Sequence, residues 1–213
     1  MTKILAAIAA VIVLAGGAYF LMKPNAPAPV VEVMSADTTM SADMMMGSED
    51  APIEFIEYAS FTCPHCATFH ESVVKNLKKD YVDTGKVKFI FREVYFDRYG
   101  LWAGIIAQCG GENRYFSIVD RIMATQKDWT SASDPNAIVG NLKRIAIAAG
   151  VSEEALDACL ADEAKAEEML ATYQKNAALH NIDATPQMVI NGKKYSNMSY
   201  EQLRGVLDGL LAQ

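Results

Sequence analysis

The chain has 213 residues, of which 51% are apolar and 21% charged, and its formal net charge is −7. This length suits one domain of ordinary size with an appendage, and the composition is that of a globular protein. The acidic balance argues against a general nucleic-acid binder, which needs a basic surface.

The chain starts with Met1-Thr2-Lys3 and continues with an apolar run over residues 4–22. That run approaches the roughly 20 apolar residues that a membrane-spanning helix needs. A signal peptide has the same charged start with a shorter apolar segment. We therefore expect residues 1–23 to be an uncleaved membrane anchor or a cleaved signal peptide, with a buried core helix as the remaining alternative. Either leader would carry the domain out of the cytoplasm, and an anchor would tether it to the inner membrane.

Residues 24–49 are rich in proline, alanine and methionine and show neither helix nor strand periodicity. They predict a flexible linker, which as a coil of about 26 residues would span roughly 28 Å. Thioether sulfur is also a soft ligand for Cu(I). A copper-handling module therefore remains an alternative from a different functional class. The methionines concerned are Met34, Met40, Met44, Met45 and Met46.

The first predicted strand, residues 53–58, leads into the sequence Cys63-Pro64-His65-Cys66. Pro64 suits the first turn of a helix. Apolar residues then recur at helical spacing to about residue 81. Cys63 is therefore expected at a strand-to-helix junction, at the N-terminus of the helix.

The remaining elements complete an α/β pattern. Residues 87–94 predict a second strand, and two strands joined by a helix form a βαβ unit with parallel pairing. A mostly helical region follows over about residues 98–181. Residues 187–190 and 193–195 predict a hairpin around Asn-Gly, and a capping box at Ser199 opens a last helix. The order is βαβ, helical insert, ββα, within residues 50–213.

The Cys63/Cys66 pair admits three chemical interpretations. A zinc site would need two more ligands, and no second pair stands at a suitable spacing. A structural disulfide across so short a loop would constrain the unfolded chain least. A redox pair has a mechanism, because amides at a helix N-terminus stabilise a thiolate. Cys63 would then be the exposed nucleophile and Cys66 its resolving partner, with His65 as a positive or hydrogen-bonding neighbour of the Cys63 sulfur.

Several motifs together resemble the DsbA family of thiol:disulfide oxidoreductases, which have a thioredoxin fold with a helical insert. They are Cys-Pro-His-Cys at 63–66, Phe-Ile-Phe-Arg at 89–92, and Thr185-Pro186 followed by a strand and Asn191-Gly192. The resemblance implies a periplasmic enzyme that oxidises newly exported proteins. It also implies reoxidation by a membrane quinone-linked partner. We expect no cofactor, no metal and, without a separate dimerisation domain, a monomer.

The resemblance also implies roles for individual residues. Thr185-Pro186 is expected to hold a cis peptide bond, and the backbone before the proline to pair with the substrate chain. Glu57, on a covered face of its strand, would relay protons to Cys66. The alternative is a solvated carboxylate near a sheet edge. His70 departs from the family pattern, since a carboxylate often stands at its position.

The other two cysteines, Cys109 and Cys159, fall in different helices of the insert. In an exported protein with an even number of cysteines, pairing is the default. A Cys109–Cys159 disulfide is therefore predicted, and two buried free thiols are the alternative. The direction of electron flow through the first pair stays open, and a reductase or isomerase of the same compartment is the second hypothesis.

Overall fold

The computed structural model describes residues 43–213, which form a mixed five-stranded sheet with helices packed against it. The predictions for the leader at 1–23 and for most of the linker lie outside these residues. The strands follow the spatial order β1-β3-β2-β4-β5. They are β1 (Met44–Met46), β2 (Ile53–Ala59), β3 (Val87–Glu93), β4 (Gln187–Ile190) and β5 (Lys193–Ser196).

The central strand β2 is buried along most of its length, as its apolar sequence requires. It pairs in parallel with β3, so that Phe55 lies opposite Phe89 and the two rings stack with centroids 5.7 Å apart. On its other side β2 pairs antiparallel with β4. The predicted βαβ unit and the α/β fold class are confirmed.

The helix between β2 and β3, α1, covers residues 64–82 and combines two kinds of turn. It starts as a regular helix at Pro64–Phe69, and wider π-type turns follow at His70–Val74 and Lys78–Val82. Such turns occur frequently at functional sites. His70 begins the first of them, and its side chain is buried.

The prediction of a flexible linker over residues 24–49 is wrong at its end, because Met44–Met46 form strand β1. Met44, Met45 and Met46 pair antiparallel with the outer edge of β3, and Asp43 forms an ion pair with Arg92 at 2.7 Å. Three methionines in a row carry no alternating pattern, so the strand exists only through its distant partner. All three are half-buried and pack against apolar clusters on the two faces of the sheet. Packing in this way leaves them less available as copper ligands.

Six helices, α2 to α7, lie between β3 and β4 and make up the predicted insert. They are α2 (Arg98–Cys109), α3 (Glu112–Ala124), α4 (Gln126–Thr130), α5 (Pro135–Ala148), α6 (Glu153–Ala161) and α7 (Glu163–Leu179). A disulfide between Cys109 and Cys159 joins α2 to α6, as predicted, with Cα atoms 6.1 Å apart. Within residues 43–213 no helix is long and apolar enough to cross a membrane.

The last elements close the fold as the sequence predicts. The turn between β4 and β5 has Asn191 and Gly192 at positive φ, which the Asn-Gly pair adopts readily. The final helix, α8 (Tyr200–Leu211), opens with a complete capping box between Ser199 and Gln202. Its buried Leu203 and Leu207 pack into the main core beside the sheet.

Candidate active site

The junction between β2 and α1 presents the two cysteines differently. Cys63 is the N-cap of α1, and its carbonyl accepts hydrogen bonds from the amides of Cys66 and Ala67 at 3.1 and 3.2 Å. Pro64 follows in the first turn, where its missing N–H costs nothing. Cys63 is half-buried and Cys66 fully buried, while Pro64 and His65 are exposed. Only the first sulfur therefore faces an incoming molecule.

The loop before β4 brings a second segment to this junction. Tyr58 at the end of β2 pairs with Gln187 at the start of β4, so Thr185 and Pro186 lie beside the cysteines. The Thr185–Pro186 peptide bond is cis, as predicted. The Cys63 thiol donates to the Thr185 carbonyl, with sulfur and oxygen 3.6 Å apart.

The pKa values of the two thiols shift in opposite directions. Burial disfavours the Cys63 thiolate, but hydrogen bonds from the Thr185 side chain, from Cys66 and from the His65 backbone amide outweigh it and lower the pKa of Cys63. Burial raises the pKa of Cys66 well above its usual range, and the nearby Glu57 charge adds to the rise. The outer thiol therefore ionises more readily than the inner one.

Glu57 lies inside the domain, on the central strand and fully buried. The alternative of a solvated carboxylate at a sheet edge is therefore wrong. Burial raises the pKa of Glu57 to about 7, although the charge of His70 lowers it somewhat. An acid of this pKa exchanges protons near neutral pH. The charge of Glu57 also raises the pKa of Cys66, so the two groups are electrostatically coupled.

The insert contributes a residue that the sequence analysis missed. The Gln126 side chain, 4% exposed, reaches from α4 to the junction. Its Nε2 donates to the carbonyl oxygens of Phe61 at 2.7 Å and Cys63 at 2.9 Å. Both partners are more than 60 residues away in sequence, so no local pattern points to the contact.

Two grooves flank the exposed start of α1. One, of about 470 Å³, runs between α1 and the start of α8 and is bordered by His65, Met198 and Tyr200. The other, of about 440 Å³, runs between α1 and the insert beside Pro64 and Lys127. His65, two residues after Cys63, borders both grooves.

No metal site accompanies the dithiol within the part of the chain that the structure describes. There, no three or more His, Cys, Asp or Glu side chains are arranged to hold an ion. Each cysteine of the pair has other contacts. Cys63 lies against Thr185, and Cys66 is enclosed by apolar side chains. The geometry therefore favours thiol chemistry.

The fold and the dithiol junction define a thioredoxin-like protein with a helical insert. The family model described as thioredoxin matches residues 39–209, and the chain belongs to this family. A crystal structure of Wolbachia pipientis alpha-DsbA1 superposes with a TM-score of 0.74 at 26% identity, covering 82% of this chain and 94% of that one. Within the thioredoxin family the chain is a member of the DsbA group.

Two curated relatives are similar over most of this chain. A Rickettsia bellii protein, named provisionally as a protein-disulfide oxidoreductase, is 32% identical over 78% of this chain and 63% of its own length. The chain thus spans less than two thirds of that relative. Disulfide bond formation protein D of Bacillus subtilis is 23% identical over 83% of this chain and 81% of its own.

Proposed function

We propose that this protein is an extracytoplasmic thiol:disulfide oxidoreductase that introduces disulfides into exported proteins through Cys63 and Cys66. The observation that carries the proposal is the unequal placement of the two sulfurs. Cys63 stands half-buried at a helix start beside the Thr185 carbonyl, whereas Cys66 is enclosed. An accessible thiolate next to a protected thiol is the arrangement that thiol–disulfide exchange requires.

The exchange follows from this arrangement. A substrate thiolate attacks the Cys63 sulfur of the oxidised pair, the Cys63–Cys66 bond breaks, and Cys66 leaves with the electron pair and takes up a proton. The second substrate thiolate then attacks the mixed disulfide and releases Cys63 as a thiolate. Substrate backbone is held, on this proposal, by the chain before Pro186, as an added strand.

The proposed direction is oxidation of the substrate. Interactions that lower the pKa of Cys63 stabilise the reduced enzyme and so make its disulfide a stronger oxidant. The second candidate is a disulfide isomerase or reductase, favoured by the likeness to a protein-disulfide isomerase from Novosphingobium aromaticivorans (25% identity, TM-score 0.70). Equilibration with glutathione separates the two: a potential near that of thioredoxin, about −270 mV, would favour the reductase.

The periplasm and a membrane quinone-linked reoxidant belong to the same proposal. The support comes from the DsbA-type likenesses, and the apolar run at residues 4–22 supplies a route out of the cytoplasm as signal or anchor. A monomer suffices, because both cysteines and the cis-proline loop come from one chain.

The test compares three variants of the full-length protein acting on a reduced, unfolded protein with known disulfides. Cys63→Ser is expected to abolish oxidation. Cys66→Ala is first converted by excess glutathione disulfide to a mixed disulfide between Cys63 and glutathione. A substrate thiol is then expected to displace glutathione and leave a covalent complex that dithiothreitol dissolves, visible on a non-reducing gel. A double alanine variant of Cys109 and Cys159 serves as the control and should oxidise the substrate normally. Oxidation by Cys63→Ser at the wild-type rate would refute the proposal.

A further inference from the structure

A series of titratable groups leads from the inner cysteine to the protein surface. Its members are Cys66 and His70 on α1, Glu57 on β2 and Asp120 on α3. Exposure rises along the series, because Glu57 is fully buried, His70 is 2% exposed and the Asp120 side chain is 53% exposed. The series therefore starts in the core and ends in solvent.

The contacts within the series are specific. His70 Nε2 and Asp120 Oδ1 are 2.6 Å apart, a charge-assisted distance when the imidazole is protonated. On the inner side, His70 Nδ1 and both Glu57 carboxyl oxygens are buried without a hydrogen-bond partner among the described residues. Buried polar atoms of this kind are rare and require a functional or structural explanation.

The inner members share a neighbour, because Glu57 lies opposite Phe91 in the β2–β3 pairing and the Phe91 ring meets His70 with centroids 6.5 Å apart. The charge of His70 lowers the pKa of Glu57 against the larger effect of burial. The charge of Glu57 in turn raises the pKa of Cys66. The pKa of Glu57 thus depends on the charge of His70, and the pKa of Cys66 on the charge of Glu57.

The other groups packed around His70 do not compete for the proton. From β3, the Phe91 ring meets the imidazole edge-on with centroids 6.5 Å apart. From α3, Tyr115 donates its hydroxyl to Glu93 at 2.7 Å, and burial holds the pKa of Tyr115 well above its usual range. Glu93 also accepts hydrogen bonds from Tyr95 and Gln108. Tyr115 and Glu93 are therefore hydrogen-bonded to each other.

We propose that His70 and Asp120 form the proton exit of the inner thiol, moving protons between Glu57 and solvent. The inference rests on the proposed dithiol function. In the mixed disulfide at Cys63, the Cys66 proton passes to the Glu57 carboxylate. The Cys66 sulfur then attacks Cys63, and the other sulfur leaves with the electron pair.

The proton on Glu57 leaves in two further transfers. It passes to His70, directly or through one bridging water. It then reaches solvent at Asp120, whose carboxylate stabilises the imidazolium. When the pair is reduced by a substrate, the same path runs inward and supplies the proton that Cys66 takes up. Proton and electron counts therefore balance in both directions.

The test follows the resolution step in full-length protein. Reduced enzyme is mixed with excess glutathione disulfide, quenched by acid and alkylation, and analysed by mass spectrometry. The first phase is formation of the glutathione adduct on Cys63, and the second is attack by Cys66. At pH 7, His70→Ala should slow the second phase about tenfold and leave the first unchanged, since general acid–base transfer contributes at least this much.

Two further measurements separate a proton path from a structural effect. Free imidazole should restore the second phase of His70→Ala in proportion to its concentration. Asp120→Asn, at a half-exposed position that tolerates the change, should slow the same phase by a smaller factor. The control is Glu71→Gln, which removes a carboxylate from the next residue of α1, where it pairs only with exposed Lys75. It should change neither phase.

The outcomes are distinct for the two proposals. Wild-type resolution rates and pH profiles in both His70→Ala and Asp120→Asn would overturn the proton exit. Slow resolution of His70→Ala without imidazole rescue, together with normal Asp120→Asn, would make His70 a structural residue and overturn it equally. Failure of the proposed function would look different, because no glutathione adduct would form on Cys63 in any variant.

Discussion

The two cysteine pairs of this domain, Cys63/Cys66 and Cys109/Cys159, differ in where the chain places them. The first pair lies at a strand-to-helix junction, with one sulfur half-buried at the helix start beside the backbone amides of His65 and Cys66. The second joins the C-terminal end of α2 to the last turn of α6 across 50 residues of sequence. Short separation and unequal burial favour exchange, whereas long separation favours a lasting cross-link. The same chemistry thus serves two purposes because the surrounding backbone differs.

The largest expected effect concerns the stability that the second pair provides. Replacing Cys109 and Cys159 together by alanine should lower the free energy of unfolding by about 4 kcal/mol, from chain entropy for a loop of this length. Urea denaturation of the variant and the wild type measures the difference. Replacing Cys63 and Cys66 by alanine is the matched control and should lower it far less. Equal losses of unfolding free energy in both variants would show that the two pairs do not differ in how much they stabilise the fold.

The second effect is a dependence of the unfolding free energy on pH, which arises at Glu57 near the first pair and not at the second pair. The pKa of Glu57 rises on folding from its ordinary 4.5 to about 7. Below pH 4.5 the acid is protonated in both states, and between 4.5 and 7 only the unfolded chain ionises. Stability should therefore fall by about 3 kcal/mol as the pH rises through this window.

Glu57→Gln isolates that contribution, because an amide of similar shape does not titrate. The difference between the wild-type and Glu57→Gln stability curves, measured by urea denaturation from pH 4 to 8, should decline with pH over the window. The double alanine variant of Cys109 and Cys159 should keep the wild-type slope. A flat difference curve would mean that Glu57 ionises normally in the fold.

The two pairs also differ in how far the sequence predicted their surroundings. Cys63, Pro64 and Cys66 form a local motif, and the helix start follows from four consecutive residues, 63–66. The Asn191-Gly192 turn and the Ser199 capping box are local signals in the same sense, and the structure contains both. Elements set by short-range chemistry could be placed before the fold was known.

Contacts between distant segments could not be predicted in this way. The strand at residues 44–46 depends on pairing with β3, more than 40 residues away. Gln126 and Asp120 lie in the insert on helices of ordinary sequence, and only the tertiary fold brings them to the junction and to His70. Their side chains are common helix residues, so composition and periodicity carry no sign of their roles.

The third effect tests whether the segment around Cys63 and the helical insert, which contains the Cys109–Cys159 disulfide, stabilise each other. Gln126→Leu removes the side-chain amide that donates hydrogen bonds to the carbonyls of Phe61 and Cys63. The Phe61 carbonyl loses its donor, whereas the Cys63 carbonyl keeps the amides of Cys66 and Ala67, and the expected cost is about 2 kcal/mol of stability. Because Cys63 is the N-cap of α1, the same variant should also slow the reaction of its thiol with a small disulfide. Gln108→Leu, which removes a donor to Glu93 elsewhere in the insert, is the control for the rate.

The smallest effect concerns the other link from the junction to the insert. Thr62, next to Cys63, donates its hydroxyl to the Asp97 carboxylate at 2.7 Å, and that carboxylate also caps α2. The bond is solvent-exposed, so water can replace the lost donor in Thr62→Val, and the expected cost is only about 1 kcal/mol. Thr68→Val is the matched control, since the Thr68 hydroxyl bonds only a carbonyl of its own helix. If Thr62→Val cost as much stability as Gln126→Leu, the exposed hydrogen bond would contribute as much as the buried ones. Burial would then not determine how much each hydrogen bond between the Cys63 segment and the insert stabilises the protein.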